Sequence, residues 1–364
     1  MNIKSGITLI LLYFCYNCMP YQQHQEGDFC RRHNSSEIGE CVRICNKNYN
    51  NSDNNNLCGF SPFNYSLVCC PLVWQESGSR SEKKCVDYYL HYEAVYPNVD
   101  INLAKALPRE FPHMAAIGFG EKTNISWLCG GSLISFDFVL TAAHCIHTLD
   151  YGQVKWVRLG DLDLKNTTED ADPRDFAVTR IYVHPKYKSA SHYHDIALLK
   201  INRSISIISQ YFRPACLQIE ERSGDHLQAI GWGKTDFFGD TSSHLLKVNL
   251  TTVPYKECKQ RFTSSRRLKE GIKDKEQICA GDSEGGDTCP GDSGGPLHYK
   301  KQRSLSFLGY DIDEHFVVVG VTSFGKGCGV QNSIGVYTKV IPYLNWIEDI
   351  VWPTDPVEDT LIFD

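Results

Sequence analysis

This sequence of 364 residues lacks several features, and each absence argues against a class of function. The net charge of −6 gives no electrostatic basis for binding nucleic acid. Past the N-terminus, no apolar run is long enough to form a membrane helix. The histidines do not fall at zinc-ligand spacing around the cysteines, which argues against a scaffold held by metal. The sequence therefore predicts no nucleic-acid partner and no membrane partner.

The N-terminus does carry one short apolar run, from Ile7 to Cys15. Because this run is too short to span a bilayer, we assign residues 1–20 to a signal peptide that is cut between residues 18 and 22. The mature protein is then expected to be secreted and extracellular. Two of the 16 cysteines belong to this segment, and the even number that remains fits disulfides formed in an oxidising compartment.

The stretch Gly-Asp-Ser-Gly-Gly-Pro at residues 291–296 carries a candidate nucleophile. Ser293 lies between an aspartate and two glycines, so the backbone can turn sharply and direct successive N–H groups to one point beside the hydroxyl. A serine hydroxyl is a poor nucleophile at neutral pH, so the hypothesis also requires a base and a group that orients the base.

The sequence offers both of these groups. His144 follows an apolar run at residues 138–140 and precedes Cys145, and Asp195 stands at the start of a second apolar run. Either residue alone is more often structural than catalytic. The order His, Asp, Ser, with three matching local contexts, favours nucleophilic catalysis.

From about residue 100 to residue 351 the chain resembles the chymotrypsin-fold serine proteases. The resemblance implies that Ser293 is the nucleophile, that His144 is the general acid and base, and that Asp195 fixes the imidazole tautomer. It further implies an oxyanion hole formed by the backbone N–H groups of Gly291 and Ser293. The fold it implies is all-β, a chymotrypsin-like double β-barrel with the catalytic cleft between the barrels.

The hydrophobic pattern points to the same fold class. From Phe111 onward, short apolar strands alternate with turn residues, which predicts a β-sandwich or barrel. Apolar residues at 343, 346, 347 and 350, after a proline, predict an amphipathic C-terminal helix. Residues 352–364, which include several acidic side chains, are expected to form an acidic tail.

The resemblance also predicts the substrate. Asp287, six residues before Ser293, matches the base of the primary pocket in trypsin-like enzymes, where a carboxylate selects arginine or lysine. Gly325 and Gly335 match the pocket walls, where missing side chains leave room for a long basic chain. Ser323 belongs to the segment that pairs with the substrate backbone.

Residues 30–70 contain six cysteines in a stretch too small to bury much apolar surface, so three crosslinks are expected to hold it. Spacing alone permits 15 pairings. The adjacent cysteines at its end, followed by Pro71, resemble the clip domain of arthropod protease zymogens, of the snake and persephone type. Such modules dock partners or the parent protease, and structural padding is the alternative.

The resemblances imply seven disulfides that use each mature cysteine once. They are Cys30–Cys69, Cys41–Cys58, Cys45–Cys70, Cys85–Cys216, Cys129–Cys145, Cys258–Cys279 and Cys289–Cys328. Residues 71–84 are charged and show no periodicity, which is typical of a linker. The predicted domains are a signal peptide (1–20), a clip domain (30–70), a linker and activation region (71–98), a protease domain (99–351) and the acidic tail (352–364).

The activation region departs from the family. There, cleavage creates an apolar N-terminus whose ammonium pairs with the aspartate before the serine, here Asp292. The usual Ile-Val-Gly-Gly is missing, and no Arg or Lys occurs between Cys85 and Lys105. Counting back along the chain from Glu110, as the family spacing implies, places the new terminus at Asp100. If a loop of this chain contains one extra residue, the new terminus is Val99.

Two further kinds of site are expected on the surface. Asp161, Asp163 and Asp172 match a loop that holds calcium in some relatives, although a solvated acidic loop fits the composition as well. No cofactor is otherwise required. Seven sequons predict glycosylation at Asn34, Asn50, Asn64, Asn124, Asn166, Asn202 and Asn249.

These features and the two resemblances predict a secreted serine endopeptidase zymogen that cleaves proteins after Arg or Lys, and the resemblances imply an extracellular cascade of immunity, melanisation or development. Its expected partners are a protein substrate (a downstream zymogen or pro-ligand), an upstream activating protease and a serpin inhibitor. The alternative is a catalytically silent clip-domain regulator that binds cascade members, because the activation sequence is atypical.

Overall fold

The structure is a computed structural model, and two compact units can be described in it. The small unit comprises residues 29–31, 38–42, 57–60 and 66–71. The large unit comprises residues 78–90, 105–166, 168, 171–202, 210–221, 226–233, 241–281, 292–301, 304–305, 311–312, 315–325 and 333–353.

The small unit, in the predicted clip domain, is a four-stranded antiparallel sheet with the strand order β1-β2-β4-β3. Its strands are β1 (Phe29–Arg31), β2 (Ile38–Val42), β3 (Leu57–Phe60) and β4 (Ser66–Pro71). The predicted clip disulfides and the signal peptide lie outside the described residues and side chains.

The large unit begins with helix α1 (Ser79–Leu90), which differs from the predicted linker without periodic structure. The first backbone N–H groups of a helix have no partner within it. Here the buried carboxylate of Glu348, near the C-terminus, accepts hydrogen bonds from the N–H groups of Gly78 (3.2 Å) and Ser81 (2.6 Å). A cap from about 270 residues away cannot be seen in the local sequence.

Two further contacts hold α1 on the protease unit. The Tyr89 hydroxyl donates a hydrogen bond to the carbonyl of Pro214 at 3.0 Å. A disulfide joins Cys85 to Cys216, which is one of the pairs that the family resemblance implies. The helix is therefore an integral part of the large unit.

The first barrel is closed and contains six antiparallel strands in the order β10-β11-β12-β7-β6-β5. The strands of this half are β5 (Met114–Glu121), β6 (Asn124–Leu133), β7 (Phe138–Thr141), β8 (His147–Thr148), β9 (Gly152–Gln153), β10 (Trp156–Leu159), β11 (Arg174–Val183) and β12 (Ala197–Ile201). Fully buried Ile117, Phe119 and Leu159 fill its interior.

The second barrel is also closed, because β20 pairs with β21 at the end of the series β20-β17-β14-β15-β16-β21. Its half contains β13 (Cys216–Leu217), β14 (Leu227–Gly231), β15 (Leu246–Thr252), α2 (Tyr255–Arg261), β16 (Gln277–Gly281), β17 (Pro296–Lys301), β18 (Ser304–Leu305), β19 (Asp311–Ile312), β20 (His315–Gly325), β21 (Ile334–Lys339) and α3 (Leu344–Val351). The predicted double barrel with a C-terminal helix is confirmed.

The two barrels share one apolar cluster. Leu140 and Leu198 of the first barrel pack in it with Val321 of the second and with Leu344 of α3. Burying such side chains contributes about 1.5–3 kcal/mol each, so the cluster fixes one barrel against the other. Among the described helices, none is long and apolar enough to cross a bilayer.

Candidate active site

Two neighbouring strands of the first barrel bring His144 and Asp195 together. His144 lies in a 3₁₀ turn just after β7, and the disulfide between Cys129 and Cys145 ties that turn to β6. Asp195 lies two residues before β12, which pairs with β7 in a register that sets Ala197 opposite Thr141. The two functional side chains therefore leave the same end of the same strand pair.

Three donors surround the buried carboxylate of Asp195. His144 Nδ1 lies 2.7 Å from Asp195 Oδ2, and the His144 backbone N–H donates to Oδ1 at 2.9 Å. The Ser323 hydroxyl donates to Oδ2 at 2.5 Å. The Asp195 side chain is 2% exposed and the His144 side chain 34%, so the imidazole alone faces the cleft.

This arrangement sets the protonation states of the pair. Burial acts to raise the pKa of Asp195, but the charge of His144 and the hydrogen bonds from His144 and Ser323 lower it overall. Burial acts to lower the pKa of His144, but Asp195 outweighs it and raises the pKa overall. The site thus holds an ionised carboxylate beside an imidazole that readily takes up a proton.

Ser293 is held between the two barrels. Gly130 N–H of the first barrel donates to the Ser293 carbonyl at 2.8 Å, and Gly294 N–H donates to the carbonyl of Thr322 in the second barrel at 2.8 Å. Gly294 has φ +78°, and a Cβ there would collide with Thr141 at the end of β7. The glycine after the serine is therefore required by the turn and by the close approach of β7.

The neighbouring Asp292 points towards the turn at residues 231–233. The Gly233 N–H donates to its Oδ1 at 2.9 Å. A Cβ on Gly231 or Gly233 would collide with the carboxylate, so these glycines make room for it. Gly291 of the expected oxyanion hole lies outside the described residues, as do Val99 and Asp100.

The predicted pocket walls face each other in the second barrel. Gly325 at the end of β20 is opposite Gly335 in β21, and Ser323 lies two residues before Gly325 on β20. The Asp287 carboxylate and the Cys289–Cys328 pair fall outside the part of the chain that the structure describes. The structure does contain the Cys258–Cys279 disulfide, another pair implied by the resemblance.

Two hydrogen bonds that support Asp195 are not apparent from the sequence. The family resemblance assigns Ser323 to pairing with the substrate backbone, and its hydroxyl also donates a hydrogen bond to the carboxylate. The Thr338 hydroxyl donates to the Asp195 carbonyl at 3.0 Å across 143 residues of chain. Nothing in the sequence around Thr338 signals this contact, because only the closure of the second barrel brings it there.

The acidic loop does not form one ligand set in the described residues. Asp161 pairs with Arg158 at 3.2 Å, and Asp172 pairs with Arg174 at 2.8 Å. With Asp163 they do not form a group of three oxygens within 4.8 Å of one another in the residues described. A calcium ion would have to displace both arginines, so calcium stays a prediction that this geometry does not favour.

The sequons in the described part of the chain are all on the surface. Asn124, Asn166, Asn202 and Asn249 are exposed, as a glycan requires. Asn34, Asn50 and Asn64 lie outside the described residues. Glycosylation stays a prediction at all seven positions.

Comparison with known proteins gives the family. The trypsin family model matches residues 100–347. The serine protease snk of Drosophila melanogaster is 38% identical over 360 residues, covering 90% of this chain and 79% of the relative. The chain belongs to the trypsin family, as an arthropod clip-domain serine protease.

Two other relatives of this clip-domain protease cover about two thirds of the chain. CLIP domain-containing serine protease B4 of Anopheles gambiae is 40% identical over 261 residues, covering 67% of this chain and 68% of the relative. Melanization protease 1 of Drosophila melanogaster is 36% identical over 265 residues, covering 67% and 63%. The chain is therefore a serine endopeptidase.

Proposed function

We propose that this endopeptidase is a secreted zymogen that, once activated, cleaves other proteins after Arg or Lys in an extracellular cascade of immunity, melanisation or development. The observation that carries the proposal is the bonded array of His144, Asp195 and Ser323 beside the clamped Ser293. The names of the relatives, one of them a melanization protease, support the cascade.

The proposed reaction is acyl transfer in two halves. The Ser293 hydroxyl attacks the scissile carbonyl while His144 Nε2 takes its proton, and Asp195 stabilises the imidazolium. The backbone N–H groups of Gly291 and Ser293 receive the developing oxyanion. His144 then protonates the leaving amine, and a water molecule, deprotonated by His144, hydrolyses the acyl-enzyme.

The proposed specificity depends on Asp287 at the base of the primary pocket. A carboxylate there selects a cationic side chain, which it binds by charge-assisted hydrogen bonds. The facing glycines Gly325 and Gly335 support this assignment, since neither carries a side chain that would obstruct a long arginine or lysine.

We further propose that activation follows cleavage between Asn98 and Val99 by a protease that is not trypsin-like. The new ammonium of Val99 would pair with Asp292, whereas Asp100 as first residue would bring a second carboxylate beside it. Grafting Arg followed by Ile-Val-Gly-Gly, in register with Asp100, is expected to make the zymogen activatable by trypsin. A folded, correctly cut graft that stays inactive would favour the silent regulator.

The proposed function is tested on the activated, two-chain protein with paired Arg, Lys and Gln substrates. Ser293→Ala is expected to lower kcat by about 10⁶-fold, since the serine and histidine of such triads act as a unit. Asp287→Ser is expected to lower kcat/KM for the basic substrates selectively. Equal turnover by Ser293→Ala and the parent protein would refute the assignment.

A further inference from the structure

An aromatic stack flanks the cleft beside His144. The His192 ring lies on the Phe324 ring with centroids 4.1 Å apart and planes 25° apart, and Phe262 meets Phe324 edge-on at 5.6 Å. Phe324 follows Ser323 on β20, in the segment assigned to pairing with the substrate backbone. Substrate residues before the scissile bond would therefore run along this stack.

The loop after α2 is fastened to the same wall. The His192 N–H donates to the Arg267 carbonyl at 3.0 Å. The Tyr193 hydroxyl donates to the Gly271 carbonyl at 2.8 Å and accepts from the Glu270 N–H at 2.8 Å. The first bond holds the backbone of Arg267 beside His192 at the edge of the stack, and the other two fasten the following residues of the loop to Tyr193.

The Arg267 side chain is exposed and has no acidic partner among the described residues. The positive charge of Arg267 acts on the pKa of titratable groups in the cleft. Burial lowers the pKa of His192, and Arg267 acts in the same direction. Burial raises the pKa of Tyr187 to about 12, and Arg267 opposes that rise. The neighbouring Arg266 is also exposed but is not among the charges that shift these groups.

We propose that Arg267 selects substrates with an acidic side chain three or four residues from the scissile bond, counting the basic residue as the first. This inference rests on the proposed cleavage after Arg or Lys. An unpaired guanidinium binds a carboxylate with paired hydrogen bonds, which a lysine cannot match. The second residue is expected to contact His192 itself, so the selection falls on the third and fourth.

The test uses peptides that differ only by Glu or Gln at the third or at the fourth position, each with Arg at the first. For the activated parent enzyme, Glu is expected to raise kcat/KM about three- to five-fold at one of these positions, the size of an exposed ion pair. The preference should fade as ionic strength rises from about 20 mM to about 1 M, because salt screens exposed charges.

Three variants localise the effect. Arg267→Gln is expected to bring the Glu-to-Gln ratio to about one, and Arg267→Glu to bring it below one, because the sign of the charge is reversed. Arg266→Gln, the matched control, should keep the parent ratio. A peptide with Ala at both positions reports the activity without an acidic side chain, which Arg266→Gln should leave unchanged.

The results that would contradict the selection by Arg267 can be told apart from those that would contradict the proposed function. A parent enzyme that cuts after Arg with a ratio of one at both positions overturns the selection by Arg267 and leaves the proposed function intact. Equal loss of the ratio in Arg266→Gln and Arg267→Gln overturns it in favour of a diffuse positive surface. Absence of cleavage after Arg in every peptide overturns the proposed function and, with it, this inference.

Discussion

Two groups of side chains around histidines in the protease unit, the first and second clusters, differ in exposure and in whether a carboxylate lies beside the imidazole, and the carboxylate explains which of them can do chemistry. At the cleft, His144 is bonded to the ionised Asp195 and its pKa is raised. In the second cluster, His113 and His298 meet edge-to-face with ring centroids 5.0 Å apart. Burial lowers the pKa of His113 to about 3 and that of His298 well below its ordinary value.

The second cluster is apolar apart from its imidazoles. Phe111 and Phe316 pack on the rings, and none of the four ring nitrogens has a hydrogen-bond partner in the described part of the chain. A buried imidazole without a carboxylate stays neutral, since burial disfavours the charged form. Burial alone therefore does not make a histidine a catalytic base. The carboxylate of Asp195, bonded to His144, gives that imidazole its basicity.

Removing that carboxylate should make the first cluster resemble the second. Asp195→Asn is expected to lower kcat by about 10⁴-fold, because the amide no longer fixes the productive tautomer or stabilises the imidazolium. The pKa of His144 should fall at the same time, since burial then acts unopposed. The measurement is kcat against pH for the activated protein, with circular dichroism to check the fold. Retention of a tenth of the parent activity would contradict the comparison.

The cleft could be anticipated from sequence because its signals are local. His144 stands beside Cys145, and Ser293 stands in a motif that only a tight turn explains. The three disulfides in the described part of the protease unit coincide with pairs implied by family resemblance.

Contacts between distant parts of the chain could not be anticipated in this way. The sequence around His113, in the turn before β5, carries no signal of its contact with His298 on β17 of the second barrel. The cap on α1 comes from Glu348 at the other end of the chain. Nor does the spacing of the carboxylates in the acidic loop show that Asp161 pairs with Arg158 and Asp172 with Arg174.

The second cluster should make stability depend on pH. The folded pKa of His113, about 3, lies below the unfolded value near 6.5, so the unfolded state binds more protons below pH 6.5. The contribution of the neutral His113 to the free energy of unfolding is therefore fully present above pH 6.5, and it is lost as the pH falls towards 3. At pH 5 the loss from His113 is on the order of 2 kcal/mol, and His298 acts in the same direction.

Urea unfolding of the inactive Ser293→Ala protein at pH 7.5 and pH 5 measures this loss. His113→Phe, in that background, should lessen the difference between the two pH values, because the phenyl ring cannot bind a proton. His147→Gln, at an exposed histidine, is the control and should leave the difference as it was. An unchanged difference in His113→Phe would show that the cluster does not titrate on unfolding.

A third buried group sharpens the comparison, because Glu348 is a carboxylate with hydrogen-bond donors but without an imidazole. It is 1% exposed and accepts from Gly78 and Ser81 at the start of α1. Glu348→Gln turns one acceptor oxygen into a donor that faces those N–H groups. We expect a loss of stability of about 1–3 kcal/mol and faster amide exchange in residues 79–90.

The activated Glu348→Gln enzyme should keep its kcat within about two-fold, since the described contacts of Glu348 do not include His144, Asp195 or Ser293. Asp349→Asn is the matched control. That side chain is 68% exposed and pairs with Arg80 at the surface, where such pairs contribute about 0–1 kcal/mol. Equal destabilisation by the two variants would remove the special role of the buried cap. A fall in kcat comparable to that of Asp195→Asn would show that a buried carboxylate supports catalysis here even without an imidazole beside it.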